Sequence, residues 1–176
     1  MSTRVGDESL VEEARRIIAF KFMSDVEAGD LLGVSSIVEA QEGQQIVAQG
    51  EEGSSLFGIL EGSVAVSVTA EEGRDVYMNT LGIGDIFGEA GLFMNVKRTA
   101  TVTATCDSSI LKIQRKDFAR FIKMHPEAGN KVLLVFIYSL LRKLRMANEE
   151  LAFERKGDFG QADVDAMMAS LFGDKD

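Results

Sequence analysis

The sequence predicts a mainly β fold of the α+β class, a sandwich or jelly roll of short strands with helices at both ends. Two observations lead to this prediction. Short runs rich in β-branched residues recur between glycines through the middle of the chain, and apolar residues at helical spacing occupy both ends. The length, 176 residues, suits one such domain with extensions.

Two helices are predicted within an N-terminal helical segment, residues 1–30. Apolar residues recur at helical spacing and predict one amphipathic helix over residues 8–23: Leu10, Ala14, Ile17, Ile18 and Phe22. Ser24-Asp25-Val26-Glu27 has the pattern of a capping box, in which the first and fourth residues satisfy each other's backbone N–H groups. A second, short helix is therefore expected to begin after Ser24.

The predicted strands lie within a β-roll over residues 31–125, which also holds a helix predicted to begin at Asp117. Val64, Val66 and Val68 alternate with smaller or polar residues over 63–69, as in a half-buried strand. Further strand-like runs cover 44–50, 56–60, 76–81, 99–105 and 109–113. Glycines and a polar turn over 71–75 separate these runs, which favours a roll of antiparallel strands.

A long C-terminal helix is predicted over residues 126–156. Pro126, the only proline, stands where a helix can begin, because its missing N–H costs nothing there. Heptad spacing is kept by Leu133, Ile137, Leu140, Leu144, Ala147 and Leu151. This seam favours pairing with a second copy of the helix, while further apolar positions such as Val132 and Phe136 suit packing against the chain's own strands.

The segment from Phe87 to Val102 carries the chemistry. Gly88 and Gly91 permit positive φ or a close approach of the backbone to a ligand. Backbone N–H groups at the start of a helical turn attract an anion, and Arg98 offers a planar fork for two phosphate oxygens. Glu89 only accepts hydrogen bonds at neutral pH, which suits a sugar hydroxyl. Together these groups indicate a sugar phosphate as ligand.

This segment resembles the phosphate-binding cassette of the cyclic nucleotide-binding domain family, here residues 86–100. The resemblance rests on Phe-Gly-Glu at 87–89 with Arg98 at the usual spacing, and on the glycine pattern upstream, and it covers about residues 24–153. It implies a β-roll in which Arg98 binds the cyclic phosphate and Glu89 accepts from the ribose 2′-hydroxyl. The implied phosphate cap is the backbone of Gly88, Glu89 and Ala90, helped by Thr99 and Ala100.

The long helix resembles the bacterial catabolite-activator-like branch, in which the equivalent helix forms a dimer and covers the base. Asn148 is at the level where polar side chains reach the purine in that branch; it either reads the base edge or is a solvated helix position. Ala147 replaces the hydroxyl residue of many relatives. Thr99 resembles cGMP-selective sites, although Arg-Thr-Ala is also found elsewhere, so cAMP is favoured and cGMP is the alternative.

Composition disfavours several other classes of protein. With Cys106 as the only cysteine and His125 as the only histidine, neither a disulfide nor a metal site is expected. The net charge of −9 argues against direct DNA binding, as does the short stretch after the long helix, which does not accommodate the helix-turn-helix of many bacterial relatives. No signal peptide or membrane span is expected, and the predicted location is the cytoplasm.

The acidic tail, residues 157–176, carries an apolar stripe that predicts a short helix: Val164, Met167, Met168, Leu171 and Phe172. It either packs on the roll or docks on a protein partner. The leading hypothesis is a non-enzymatic cyclic-nucleotide receptor that transmits binding through its C-terminal helix, with Arg98→Ala losing the ligand while the fold survives. The alternative is a dimerising scaffold or sensor of the same fold that no longer binds nucleotide.

Overall fold

A computed structural model describes residues 8–70, 75–94 and 96–157. Its helices are α1 Glu8–Ala14, a 3₁₀ turn Ile18–Phe20, α2 Asp25–Gly33, α3 Ala90–Phe93, α4 Arg115–Met124 and α5 Pro126–Gly157. Its strands are β1 Ser35–Ala40, β2 Gln45–Val47, β3 Ser55–Glu61, β4 Val64–Thr69, β5 Asp75–Leu81, β6 Ile86–Phe87, β7 Thr101–Ala104 and β8 Ser108–Gln114. The chain divides into two compact units, residues 1–136 and 137–176.

The strands of the described residues form two antiparallel four-stranded sheets, in the orders β1-β8-β3-β6 and β2-β7-β4-β5. This is the predicted jelly-roll class, with helices before and after the strands. Strand β3 explains how the two hydrophobic clusters arise. Its residues Phe57 and Ile59 face the cluster shared by both sheets, while Leu56 and Leu60 face the cluster formed with the helices. Because both faces of β3 are buried, its sequence is a nearly continuous apolar run and does not alternate between apolar and polar residues.

The N-terminal segment differs from the single helix predicted over residues 8–23. Helix α1 ends at Ala14, and Ile17 has extended backbone angles, φ −74° and ψ 124°, before the 3₁₀ turn. A Cβ added at Gly58 of β3 would lie 2.6 Å from Ile17 Cδ1, so this side chain fits against bare strand backbone. Packing against β3 therefore overrides the local helical pattern.

Helix α2 begins with the predicted capping box. The Ser24 hydroxyl accepts from the Glu27 backbone N–H, and the Glu27 carboxylate accepts from the Ser24 backbone N–H at 2.8 Å. His125 Nε2 lies 3.1 Å from Asp30 Oδ2, which joins α2 to the turn between α4 and α5. Helix α5 begins at Pro126, as predicted. The tail predicted to form a short helix lies outside the described residues, as do positions 71–74 of the predicted polar turn.

Candidate functional site

The turn between β6 and α3 is built on Gly88. Its φ is +78°, a conformation that side-chain-bearing residues rarely adopt, and it directs the chain from the strand into α3. The N–H of Gly91 donates to the Gly88 carbonyl at 3.0 Å, and the N–H of Leu92 donates to the Glu89 carbonyl at the same distance. The sequence allowed either a positive φ or a close approach of the backbone at these glycines; Gly88 has the positive φ, and Gly91 does not.

Glu89 lies directly before α3 and is only 7% exposed. Burying a carboxylate is costly unless polar groups or charges compensate for it. Its favourable interaction with the Arg98 charge provides part of that compensation. The site therefore combines an acidic acceptor and a guanidinium within one short segment.

Arg98 is half-buried, and its guanidinium is held by backbone carbonyls. Its Nη2 donates to the Ser55 carbonyl at 2.9 Å, and its Nη1 donates to the Gly88 carbonyl at 3.3 Å. Its Cζ also lies 5.6 Å from the centre of the Phe57 ring. Arg98 therefore links β3 to the α3 turn and contributes contacts to the fold as well as a charge.

Burial lowers the pKa of the Arg98 guanidinium from its ordinary value, and the carboxylates of Glu51 and Glu89 oppose that effect. The direction means that the protein stabilises this positive charge less well than water does. An anion bound beside the guanidinium would offset that desolvation. The electrostatics of the site thus favour a negatively charged ligand.

The backbone around Arg98 is fixed by the loop between β2 and β3. The Arg98 N–H donates to the Glu51 carbonyl and the Gly50 N–H donates to the Arg98 carbonyl, both at 2.8 Å. Next to them, Glu52 and Lys97 form an isolated antiparallel bridge. These contacts fix the backbone of Arg98, while the Ser55 and Gly88 carbonyls hold its guanidinium.

Arg115, the first residue of α4, was not identified from the sequence. Its Nε donates to the Gly91 carbonyl at 2.8 Å, and its Nη2 donates to the carbonyls of Gly91 and Met94, each at 2.6 Å. Its backbone N–H donates to the Ser54 carbonyl at 2.7 Å. One residue therefore ties the carboxyl end of α3 to α4 and to the start of β3. Because these acceptors are backbone carbonyls, no residue pattern indicates this role.

The other predicted site residues differ in burial. Phe87 is buried, and its ring stacks on Phe57 with centroids 4.9 Å apart. Ala90 is the exposed first residue of α3, and exposed Thr99 and half-buried Ala100 lie between Arg98 and β7. The structure brings together Gly88, Glu89 and Arg98. Asn148 is an exposed position of α5 in the second compact unit.

Within residues 8–70, 75–94 and 96–157, no group of three or more His, Cys, Asp or Glu side chains is arranged to hold a metal ion. In the same ranges, none of the helices combines the length and apolarity needed to cross a bilayer.

Fold and site together define a β-roll protein with a short helical cassette that carries a half-buried guanidinium and a buried carboxylate. The sequence model of the cyclic nucleotide-binding domain family matches residues 37–125, half of the chain. The chain therefore belongs to the cyclic nucleotide-binding domain family, as its cassette indicated.

Comparison with individual relatives agrees with this assignment. The chain is 32% identical over 107 residues, 60% of its own length, to the cAMP-activated global transcriptional regulator CRP of Salmonella typhimurium. That match covers 49% of the relative, so the chain spans about half the length of the curated relatives it matches. The catabolite activator protein of Thermus thermophilus superposes with a TM-score of 0.66 at 26% identity, over 78% of this chain and 62% of the other. A cyclic nucleotide-binding domain from Methylobacillus flagellatus superposes with a TM-score of 0.74 at 23% identity, over 84% and 83%.

Proposed function

We propose that this chain is a non-enzymatic receptor for a cyclic nucleotide, with cAMP as the favoured ligand and cGMP as the alternative. Family membership supports a cyclic-nucleotide sensor, and the similarity to a regulator described as cAMP-activated favours cAMP. Hydrolysis of phosphoesters commonly relies on a bound metal ion, and neither the family nor the site chemistry points to such a centre.

In this proposal, the cassette holds the phosphate and the ribose. Arg98 forms charge-assisted hydrogen bonds to the cyclic phosphate, and the backbone of Gly88, Glu89 and Ala90 caps its oxygens, with Thr99 and Ala100 at the edge. Glu89 accepts from the ribose 2′-hydroxyl. The observation that carries the proposal is the joint placement of Arg98, the positive-φ turn at Gly88 and the buried carboxylate of Glu89.

The base and the output are assigned to α5. Asn148 is proposed to read the base edge, and Thr99 to test for the guanine amino group. Ligand binding shifts α5 only if the nucleotide binds two arrangements of the chain with different affinity. The proposed output is therefore a change at the helix, read by a dimer interface or a protein partner. With a net charge of −9, the proposal includes no direct contact with DNA.

A homodimer formed through α5 is part of the proposal. Three positions of the heptad seam are exposed in the single chain: Ile137 at 54%, Leu140 at 44% and Leu144 at 59%. Exposed leucine and isoleucine at heptad spacing suit a second copy of the same helix, because knobs from one helix fill holes in the other.

The experiment that tests the proposed function is calorimetric titration of nucleotide-free protein with cAMP and cGMP. Arg98→Ala is compared with Lys97→Ala, which removes the neighbouring exposed cation and so matches the change in charge. We expect saturable binding of one nucleotide per chain. Losing hydrogen bonds to a charged phosphate should cost Arg98→Ala roughly 10- to 100-fold in affinity, while Lys97→Ala stays near the wild type.

The outcomes separate the candidate functions. Binding by wild type and by Lys97→Ala, weakened in Arg98→Ala, supports the receptor. Absence of binding in folded, nucleotide-free wild type supports the scaffold or a sensor of another signal. Recovery of hydrolysed nucleotide after long incubation would contradict the non-enzymatic assignment.

A further inference from the structure

Gly53, in the loop between β2 and β3, lies directly under the Arg98 side chain. We infer that Gly53 is a positioning residue for the anion site. Because it has no side chain, the Arg98 side chain can pass over the loop and place its guanidinium beside α3. This inference rests on the proposed function for its effect on ligand binding. The contact itself is tested without any ligand.

The geometry leaves no room for a side chain at this position. A Cβ added to Gly53 would overlap Nε and Cζ of Arg98 and would lie 2.7 Å from its Cδ. These three atoms, all from the Arg98 side chain, are its nearest neighbours. The methyl group of an alanine would therefore clash with the outer part of the Arg98 side chain. None of the three nearest atoms belongs to the backbone.

The backbone conformation of Gly53 does not explain the glycine. Its φ lies outside the left-handed region, in contrast to Gly50 at φ +85° in the same loop. Alanine at position 53 thus carries no strain from a positive φ. What the glycine provides is space, and the space is filled by Arg98.

The consequences of filling that space follow from the contacts of Arg98. Its backbone is fixed by hydrogen bonds to Gly50 and Glu51, so the side chain cannot withdraw as a whole. The cheapest response is rotation of the guanidinium away from the carbonyls of Ser55 and Gly88. The charge then leaves the position at which it would meet a phosphate held by the α3 turn.

The Gly53 backbone also lies against the cassette helix. A Cβ added to Gly91 of α3 would lie 2.7 Å from the Gly53 carbonyl oxygen and 3.0 Å from Arg98 Nη1. The β2–β3 loop, the Arg98 guanidinium and α3 therefore pack closely against one another at three glycines, Gly53, Gly88 and Gly91. Of these three, only Gly88 and Gly91 were singled out from the sequence, and Gly53 is one of the glycines that separate the predicted strands.

The test is a double-mutant cycle with Gly53→Ala, Arg98→Ala and the double variant, read by cAMP affinity and by thermal unfolding. Gly82→Ala is the matched control, since this loop glycine also lacks positive φ and has open space at its Cβ position. We expect Gly53→Ala to lose roughly 10- to 100-fold in affinity, as Arg98→Ala does. The double variant should bind no more weakly than Arg98→Ala, and Gly82→Ala should bind as the wild type does.

Each result bears on the inference. Wild-type affinity in Gly53→Ala, or a loss that persists in the Arg98→Ala background, would overturn it. If the wild type binds no cyclic nucleotide, the proposed function fails, but the melting temperatures still show whether Gly53 makes room for the Arg98 side chain. Gly53→Ala should lower the melting temperature when Arg98 is present and leave it unchanged when Arg98 is absent. A Gly53→Ala chain that folds only in the Arg98→Ala background supports the contact; failure to fold in both backgrounds overturns it.

Discussion

Glu89 and Arg98 are opposite charges held at low exposure on one short segment. A buried ion of either sign costs desolvation energy, which a fold tolerates where partners or a ligand compensate. Here the guanidinium is satisfied partly by backbone carbonyls, and the carboxylate lies at the start of a helix. The arrangement is more consistent with a ligand site than with an ion pair whose purpose is stability.

The role proposed for Glu89 predicts a specific interaction with the ribose. Glu89→Gln keeps the size of the side chain and removes its charge, so its hydrogen bond from the 2′-hydroxyl should weaken. We expect cAMP affinity to fall by about 10-fold, in keeping with the usual worth of a charge-assisted hydrogen bond. Titration with the 2′-deoxy analogue provides the control. The variant and the wild type should bind that analogue equally, and a loss of equal size for both ligands would contradict the role.

At the scale of elements, Arg115 predicts that α3 depends on α4. Arg115→Ala removes the donors to the carbonyls of Gly91 and Met94, which should lower the free energy of unfolding by about 1–3 kcal/mol. It should also weaken cAMP binding, because the cassette helix loses its anchor. Urea unfolding and calorimetry measure the two effects.

Arg120→Ala is the control for this change. Arg120 is on the same helix and forms an exposed pair with Asp117 at 3.2 Å, a type of contact that contributes little. Equal effects of the two variants on affinity would show that the contacts of Arg115 have no special role in holding α3.

The capping box of α2 predicts a pH dependence. The Ser24 backbone N–H, chiefly, lowers the pKa of Glu27 below its ordinary value of 4.5. A lowered pKa in the folded state means that this carboxylate stabilises the fold above pH 4.5, and that its contribution disappears as the pH falls through the folded-state pKa. Glutamine at this position can still accept from the Ser24 N–H, so Glu27→Gln removes only the charge. The variant should therefore be less stable than the wild type at pH 7, by about 0.3–1 kcal/mol, and the gap should close under acid. A gap that is constant from pH 7 to pH 3 would contradict this origin.

Those elements whose signals are local were predictable from the sequence. The capping box, Pro126 at the start of α5, and the glycine-bounded strands all follow from preferences of a few adjacent residues. The motif around Glu89 and Arg98 identified the family in the same way. The break after Ala14 was not foreseen, because it depends on Ile17 fitting against Gly58 of a strand about forty residues away.

The parts of the site that the sequence missed involve backbone groups. Carbonyls accept from Arg98 and Arg115, and every residue type carries a carbonyl, so the sequence holds no mark of which ones are used. The requirement for space at Gly53 could not be predicted from the sequence either, because a glycine in a loop is ordinarily explained by the turn. The side chains that would contact the ligand could be predicted from the sequence, whereas the contacts that hold them in place could not.

At the scale of the whole molecule, the exposed seam of α5 predicts self-association. Leu140→Glu places a charge on the seam and should shift the protein towards monomer in sedimentation velocity at several concentrations. Tyr138→Glu is the control, because Tyr138 is 60% exposed but lies off the seam. A wild type that stays monomeric at all concentrations, with and without cAMP, would contradict the dimer.

The half-buried setting of Arg98 has a consequence for the rate of encounter. A cyclic nucleotide is an anion approaching a chain of net charge −9, with the exposed carboxylates of Glu51 and Glu52 on the loop beside the guanidinium. Long-range repulsion of this kind is screened beyond roughly 8 Å at physiological ionic strength, while direct contact with the half-buried guanidinium is screened much less. Added salt should thus speed association more than it speeds release, the reverse of what electrostatically steered ligands show.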